Sequence, residues 1–205
     1  LNLKIINELM IYFDNKSFNN IIKYQILDDN FINKYNKHFT FNNWKDISKY
    51  QKLNEKTIRF FKDKVYWTNI IIYQNLNEKF LIEFINKIQI LKLWKLVSSK
   101  QKLTYNFISK FINNLNINSI TKNQKLNEKI IEDIYLKFNI DDWENITWHQ
   151  NLSEKFIRKF SIYFNNKCWD HISIKQKLSE KIIIEFENNL NCNHISSCQY
   201  LSSEF

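Results

Sequence analysis

A glutamine returns along the chain at near-fixed spacing, and this constrains the fold more than any other feature. Gln25, Gln51, Gln74, Gln101, Gln124, Gln150, Gln176 and Gln199 follow one another at intervals of 26, 23, 27, 23, 26, 26 and 23 residues. Seven residues before each stands Phe18, Trp44, Trp67, Trp94, Ile117, Trp143, Trp169 or Cys192. Four before it stands Ile or Val, and two after it always Leu. A period of 20 to 50 residues is the mark of stacked supersecondary units.

The phase of each unit reads as a pair of short helices. Three residues after each Gln sits Asp28, Asn54, Asn77, Thr104, Asn127, Ser153, Ser179 or Ser202. All are N-cap residues, whose side-chain oxygen can accept from an unpaired N–H of the first turn. The Leu just before the cap and an aliphatic residue at N4 (Ile32, Ile58, Leu81, Ile108, Ile131, Ile157, Ile183) form a hydrophobic staple. An acid usually follows the cap (Asp29, Glu55, Glu78, Glu128, Glu154, Glu180), where it suits the positive end of the helix dipole. A second helix therefore starts after every Gln-x-Leu. The first helix, running from Trp toward Gln, is about seven or eight residues long. Helices this short do not persist alone in water and need neighbouring repeats to stack on.

The expected fold is all-α: an α-solenoid of about eight two-helix repeats of 23–27 residues, one array over 1–205. Residues 1–13 read as a degenerate partial repeat and 192–205 as an incomplete last one. The longer intervals are expected to add a turn to the second helix. The sequence has no Gly, so Asn42, Asn114, Asn166 and Asn189 are expected to take left-handed turn conformations between units. The chain begins with Leu and stops at Phe205 within a repeat, which reads as a fragment or as an uncapped end open to end-to-end contact.

The unit W-x-x-I-S-x-x-Q-K-L-S/N-E, clearest in "WDHISIKQKLSE" at 169–180 and "WKDISKYQKLNE" at 44–55, resembles a tandem repeat in proteins of large DNA viruses and some phages. The resemblance spans nearly the whole chain and implies an intracellular life, in the cytoplasm of an infected host cell or in the virion. It implies no catalytic residues. The unit at Gln101 departs from the pattern, with Tyr105 where an acid usually stands.

Hydrophobic residues make up 44% of the 205 residues and aromatics 16%, enough for a core. No apolar run approaches the roughly 18 residues of a membrane helix. Three cysteines without a C-x-x-C pair suggest free thiols. Cys168, His171, Cys192, His194 and Cys198 have no zinc-like spacing, and the repeat phase assigns several of them other duties. No metal, cofactor or catalytic set is expected. Without Gly there is no phosphate-cradling loop, and a periodic row of glutamates signals capping rather than an acid–base pair.

The eight glutamines read as a structural ladder that bonds the ends of first helices or one another. The charge of +9 is partly a compositional bias toward Lys and Asn. Along the chain it concentrates between Glu83 and Glu128, which makes Lys92, Lys95, Lys100, Lys102, Lys122 and Lys125 a candidate basic patch. Tyr24, Tyr50, Tyr73 and His149, each just before a ladder Gln, form a candidate variable strip for bases or a protein. The leading expectation is a non-enzymatic protein-binding scaffold or adaptor, a viral structural or host-interaction component. The alternative is a nucleic-acid-binding repeat protein that uses the central basic units.

Overall fold

A computed structural model describes residues 12–203 together with Ile5, Ile6 and Glu8. Among these residues every regular element is helical. The expected partial repeat at 1–13 lies mostly outside the described residues. The chain forms two units, Leu1–Gln101 and Lys102–Phe205. Each is a stack of the same two-helix repeat.

In the first unit the first helices of the repeats are α1 (Asn15–Tyr24), α3 (Phe41–Tyr50), α5 (Trp67–Tyr73) and α8 (Trp94–Lys100). The second helices are α2 (Asp29–Tyr35), α4 (Glu55–Phe60) and α6 (Glu78–Glu83), the last continued by α7 (Ile85–Ile90). In the second unit α10 (Ile117–Asn123), α12 (Ile140–His149), α14 (Asn166–Lys175) and α16 (Cys192–Cys198) are first helices. Their counterparts are α9 (Tyr105–Phe111), α11 (Glu128–Ile134), α13 (Glu154–Phe160) and α15 (Glu180–Glu185). First helices pack side by side in chain order within each unit: α1 on α3, α3 on α5, α5 on α8, then α10 on α12, α12 on α14 and α14 on α16. That is solenoid stacking.

Six of the eight expected caps form; Ser179 stands at the N-cap of α15 without a side-chain bond to the helix, and Ser202 precedes no described helix. Asp28, Asn54, Asn77, Thr104, Asn127 and Ser153 each accept from the N–H of the third helical residue. The staple residues Leu27, Leu53, Leu76, Leu126 and Leu152 are buried beside equally buried Ile32, Ile58, Leu81, Ile131 and Ile157. The ladder Trp packs on the Phe that closes the second helix of its own repeat. Ring centroids are 4.7 Å apart for Trp44–Phe61, 4.9 Å for Trp67–Phe84, 5.3 Å for Trp143–Phe160 and 4.9 Å for Trp169–Phe186. These tilted ring contacts fill the space between the two helices.

Two sequence expectations are corrected. The three extra residues of a 26-residue interval lengthen the first helix, not the second. α3, α12 and α14 have 10 residues, whereas α5, α10 and α16 have 7. The cause is cap position. Thr40, Asn139 and Asn165 cap one turn upstream of Trp, each accepting from the third helical N–H, while Asn116 and Asn191 cap immediately before the Trp-equivalent residue. On the second side the 27-residue interval adds α7, and two 26-residue intervals add a single 3-10 turn, Tyr135–Lys137 after α11 and Ser161–Tyr163 after α13.

Nor do the four Asn residues turn left-handed. Among the described residues the positive φ belongs to Lys92, at 55°. Asn42 and Asn166 lie inside α3 and α14. Asn114 and Asn189 lie in right-handed turns closed by Leu115 N–H to Phe111 O and Leu190 N–H to Phe186 O, at 3.1 and 3.0 Å. The equivalent bond elsewhere is Val65 N–H to Phe61 O at 3.0 Å. Buried Val65, Leu115 and Leu190 anchor these turns. A linker that keeps winding right-handedly needs no Gly, which reconciles the fold with a glycine-free sequence.

Candidate functional site

Each first helix ends at its ladder Gln, which adopts extended backbone and bonds its own N–H to the carbonyl four residues back. The chain then turns through Leu into the second helix. These Gln turns form one edge of each unit, because first helices end there and second helices begin there.

The glutamine side chain reaches one repeat back and ties the previous turn. Gln74 Oε1 accepts from Leu53 N–H at 2.9 Å, and its Nε2 donates to Ser48 O at 3.0 Å and Gln51 O at 2.9 Å. Gln150 does the same with Leu126 N–H, Thr121 O and Gln124 O, at 2.8, 3.0 and 3.0 Å. Gln51, Gln101, Gln176 and Gln199 make the equivalent three bonds. Gln124 accepts from Leu103 N–H at 3.1 Å. The amides thus satisfy carbonyls at a helix C-terminus and one stray N–H, most of them buried. The seven side chains from Gln51 to Gln199 bond the backbone of the preceding repeat.

A second ladder, invisible as such in the sequence, runs through the acids after the caps. Glu55 accepts from the backbone and side-chain N–H groups of Asn77, at 2.8 and 2.9 Å. Glu128 accepts from Ser153, Glu154 from Ser179 N–H at 2.7 Å, and Glu180 from Ser202 N–H at 2.6 Å. These bonds hold the Glu154 and Glu180 carboxyls below the ordinary glutamate range. A third uses the Ser of W-x-x-I-S: Ser48 Oγ accepts from Tyr66 N–H at 2.9 Å and Ser173 Oγ from Asn191 N–H at 3.1 Å. The motif is therefore an inter-repeat adhesive, and its conserved-looking polar groups are consumed by structure.

What remains exposed on the edge differs from what the chain order suggested. Lys92 and Lys95 stand at the N-terminal end of α8, and Lys100 at its C-terminal end beside Gln101. Lys102, Lys122 and Lys125 belong to the second unit. Three of the six lysines expected as one patch therefore lie in each unit. Phase groups the charge better. The four-residue windows from two before to one after each ladder Gln hold Lys23, Lys49, Lys52, Lys100, Lys102, Lys122, Lys125, Lys175 and Lys177, and no acid. The other 21 Lys and Arg equal the 21 Asp and Glu of the whole chain. The entire excess charge lies on Gln-turn edges, a signal readable from the sequence only after alignment by repeat.

The aromatic strip lies on the same edges. Tyr24, Tyr50 and Tyr73 are exposed in the first unit, at 77%, 46% and 50%. Lys49 Nζ sits 4.8 Å from the Tyr50 ring centroid and 5.6 Å from that of Tyr73. A surface pocket of about 330 Å³ opens here, lined by Lys49, Tyr50, Lys52, Tyr73 and Asn75 with the ladder amides beneath. In the second unit Lys175 Nζ lies 4.3 Å from the Trp148 ring, which packs edge-on against His171. His149 is exposed on this edge. Its pKa is lowered by burial of part of the ring and by the positive charges of Lys122, His171 and Lys175. Lys23 pairs with Asp46 at 3.4 Å. Among the described residues the other eight edge lysines make no ion pair.

Cys168 is buried in α14, while Cys192 and Cys198 are exposed in α16. Among the described residues no three His, Cys, Asp or Glu side chains converge as metal ligands, and no helix is long and apolar enough to cross a membrane. Comparison with protein-family models, curated proteins and solved structures finds no match to this chain.

Proposed function

We propose that the chain is a non-enzymatic helical-repeat scaffold that binds an extended anionic macromolecule along its Gln-turn edges. The observation that carries this reading is the confinement of the excess charge to those edges. Compositional bias raises Lys everywhere; it does not empty one phase of acids while the rest of the chain balances. The helix dipole accounts for Lys in the last turn of a first helix, such as Lys100 and Lys122. It does not account for Lys52, Lys102, Lys125 and Lys177, which follow the cap. Titrating the full chain with polyphosphate at increasing salt tests the reading. Affinity that falls steeply with salt is expected; affinity that is absent or indifferent to salt sinks it.

A protein partner is the second reading, favoured by a different surface. At the opposite helix ends Phe41, Phe60 and Ile90 in the first unit, and Leu136 and Ile162 in the second, are 70–82% exposed. Under either reading, the resemblance of the repeat to those of viral and phage proteins supports a working place in an infected cell or a virion. Copurification that recovers no protein partner would remove the second reading.

A further inference from the structure

We infer that the first unit's Gln-turn edge is a track for single-stranded nucleic acid, with bases stacked on Tyr50 and Tyr73 and phosphates held by Lys49 and Lys52. This rests on the anionic-ligand reading and specifies its chemistry.

The juxtaposition that carries it is one ammonium lying on two tyrosine rings from consecutive repeats. Between these rings lies the open pocket of about 330 Å³. A polyanion without rings, or an acidic peptide, uses the lysines and leaves two half-exposed rings idle. A base uses both, since every base has a face to stack and stacking is indifferent to sequence. The cation over the rings marks where a positive charge meets an aromatic face, and a phosphate drawing Lys49 aside leaves that face to the base.

The pocket also holds a polar group with capacity to spare. The Gln51 and Gln74 amides are committed to the ladder, whereas Asn75 is exposed at the rim. Its amide offers a donor and an acceptor to a base edge. A duplex does not suit the site, because paired bases present no free faces.

The test titrates the full chain by fluorescence anisotropy with labelled oligouridylate and oligothymidylate, a duplex of the same length, polyphosphate of matched charge, and polyglutamate. The single strands are expected to bind about tenfold or more tighter than polyphosphate and the duplex. Tyr50→Leu and Tyr73→Leu are expected to lose about tenfold for the single strands and nothing for polyphosphate. Tyr50→Phe and Tyr73→Phe, which keep the ring, retain binding. Lys49→Gln with Lys52→Gln weakens both ligands and shallows the salt dependence. Thermal melts confirm that each variant folds. Equal affinity for polyphosphate and single strands, with the Leu variants silent, overturns the base track and leaves the anionic edge standing. Preference for polyglutamate also overturns it, in favour of an acidic protein. Binding of none of the five overturns both.

Discussion

The side-chain amide of Gln150 donates to the main-chain carbonyl of Gln124, one repeat earlier, at 3.0 Å, while its oxygen takes the N–H of Leu126 at 2.8 Å. One side chain closes the same turn in the preceding unit that its own backbone makes in the next. The Gln124 turn is therefore completed by the repeat that follows it, and adjacent repeats are expected to unfold together.

It follows that Gln150→Met, near in volume but without amide groups, strands one N–H and two carbonyls in a buried site. Each stranded group costs about 1–3 kcal/mol, so a loss of roughly 3 kcal/mol or more is expected by urea denaturation. Gln150→Glu is expected to be comparably harmful, because a carboxylate keeps the acceptor and loses both donors. A loss below about 1 kcal/mol for Gln150→Met would mean that the ladder does not bind the stack.

The glutamate ladder sets a response to acid. Hydrogen bonds from Ser179 and Ser202 depress Glu154 and Glu180 in the folded state. Their contribution is present above the unfolded pKa and is lost as pH falls through the folded one. Asp142 acts in the opposite sense: burial raises its pKa, so acid relieves a cost there. The urea midpoint is expected to drop between about pH 5 and pH 3, and the double variant Glu154→Gln, Glu180→Gln should flatten that drop. An undiminished pH dependence in the double variant would contradict the assignment.

His149 gives a separate response nearer neutrality. Burial, then Lys122, His171 and Lys175, lower its folded pKa, so the unfolded chain takes up the proton first. Stability is expected to fall as pH drops from about 7 through the ordinary histidine range. His149→Gln removes that slope. A bound polyanion offsets the lysine charges, so saturating polyphosphate should shrink the slope in the parent protein.

The helical pairs, their caps and the stacking order were legible because Gln, Leu and the N-cap residues recur in one phase. What the sequence concealed was the destination of each polar group. Glu55 reads as a dipole partner of its own helix, yet it bonds Asn77 of the next repeat; a cap and a bridge leave the same pattern along one chain. The extra turn of α3 was misplaced because Thr40 and Asn43 cap in a region where Asn is too common to stand out. Nearness in sequence groups Lys92 and Lys95 with Lys100. A helix carries them to opposite ends, whereas residues one repeat apart come together.

Charge placed by repeat phase and charge placed elsewhere on the chain are expected to bind differently. Lys52, Lys100, Lys125 and Lys177 are exposed on Gln-turn edges, while Lys56, Lys79, Lys129 and Lys155 are exposed beside an acid at the start of second helices. Two quadruple Lys→Gln variants remove the same charge and differ only in phase. If the edges bind a single-stranded polyanion, each edge lysine in contact contributes about −0.7 to the slope of log affinity against log salt. The edge variant should therefore lose up to about 3 from that slope and most of its affinity. The second-helix variant should lose little, because its lysines stand in balanced surroundings. Equal losses in the two variants would reduce the binding to net charge and deprive the edges of any special role.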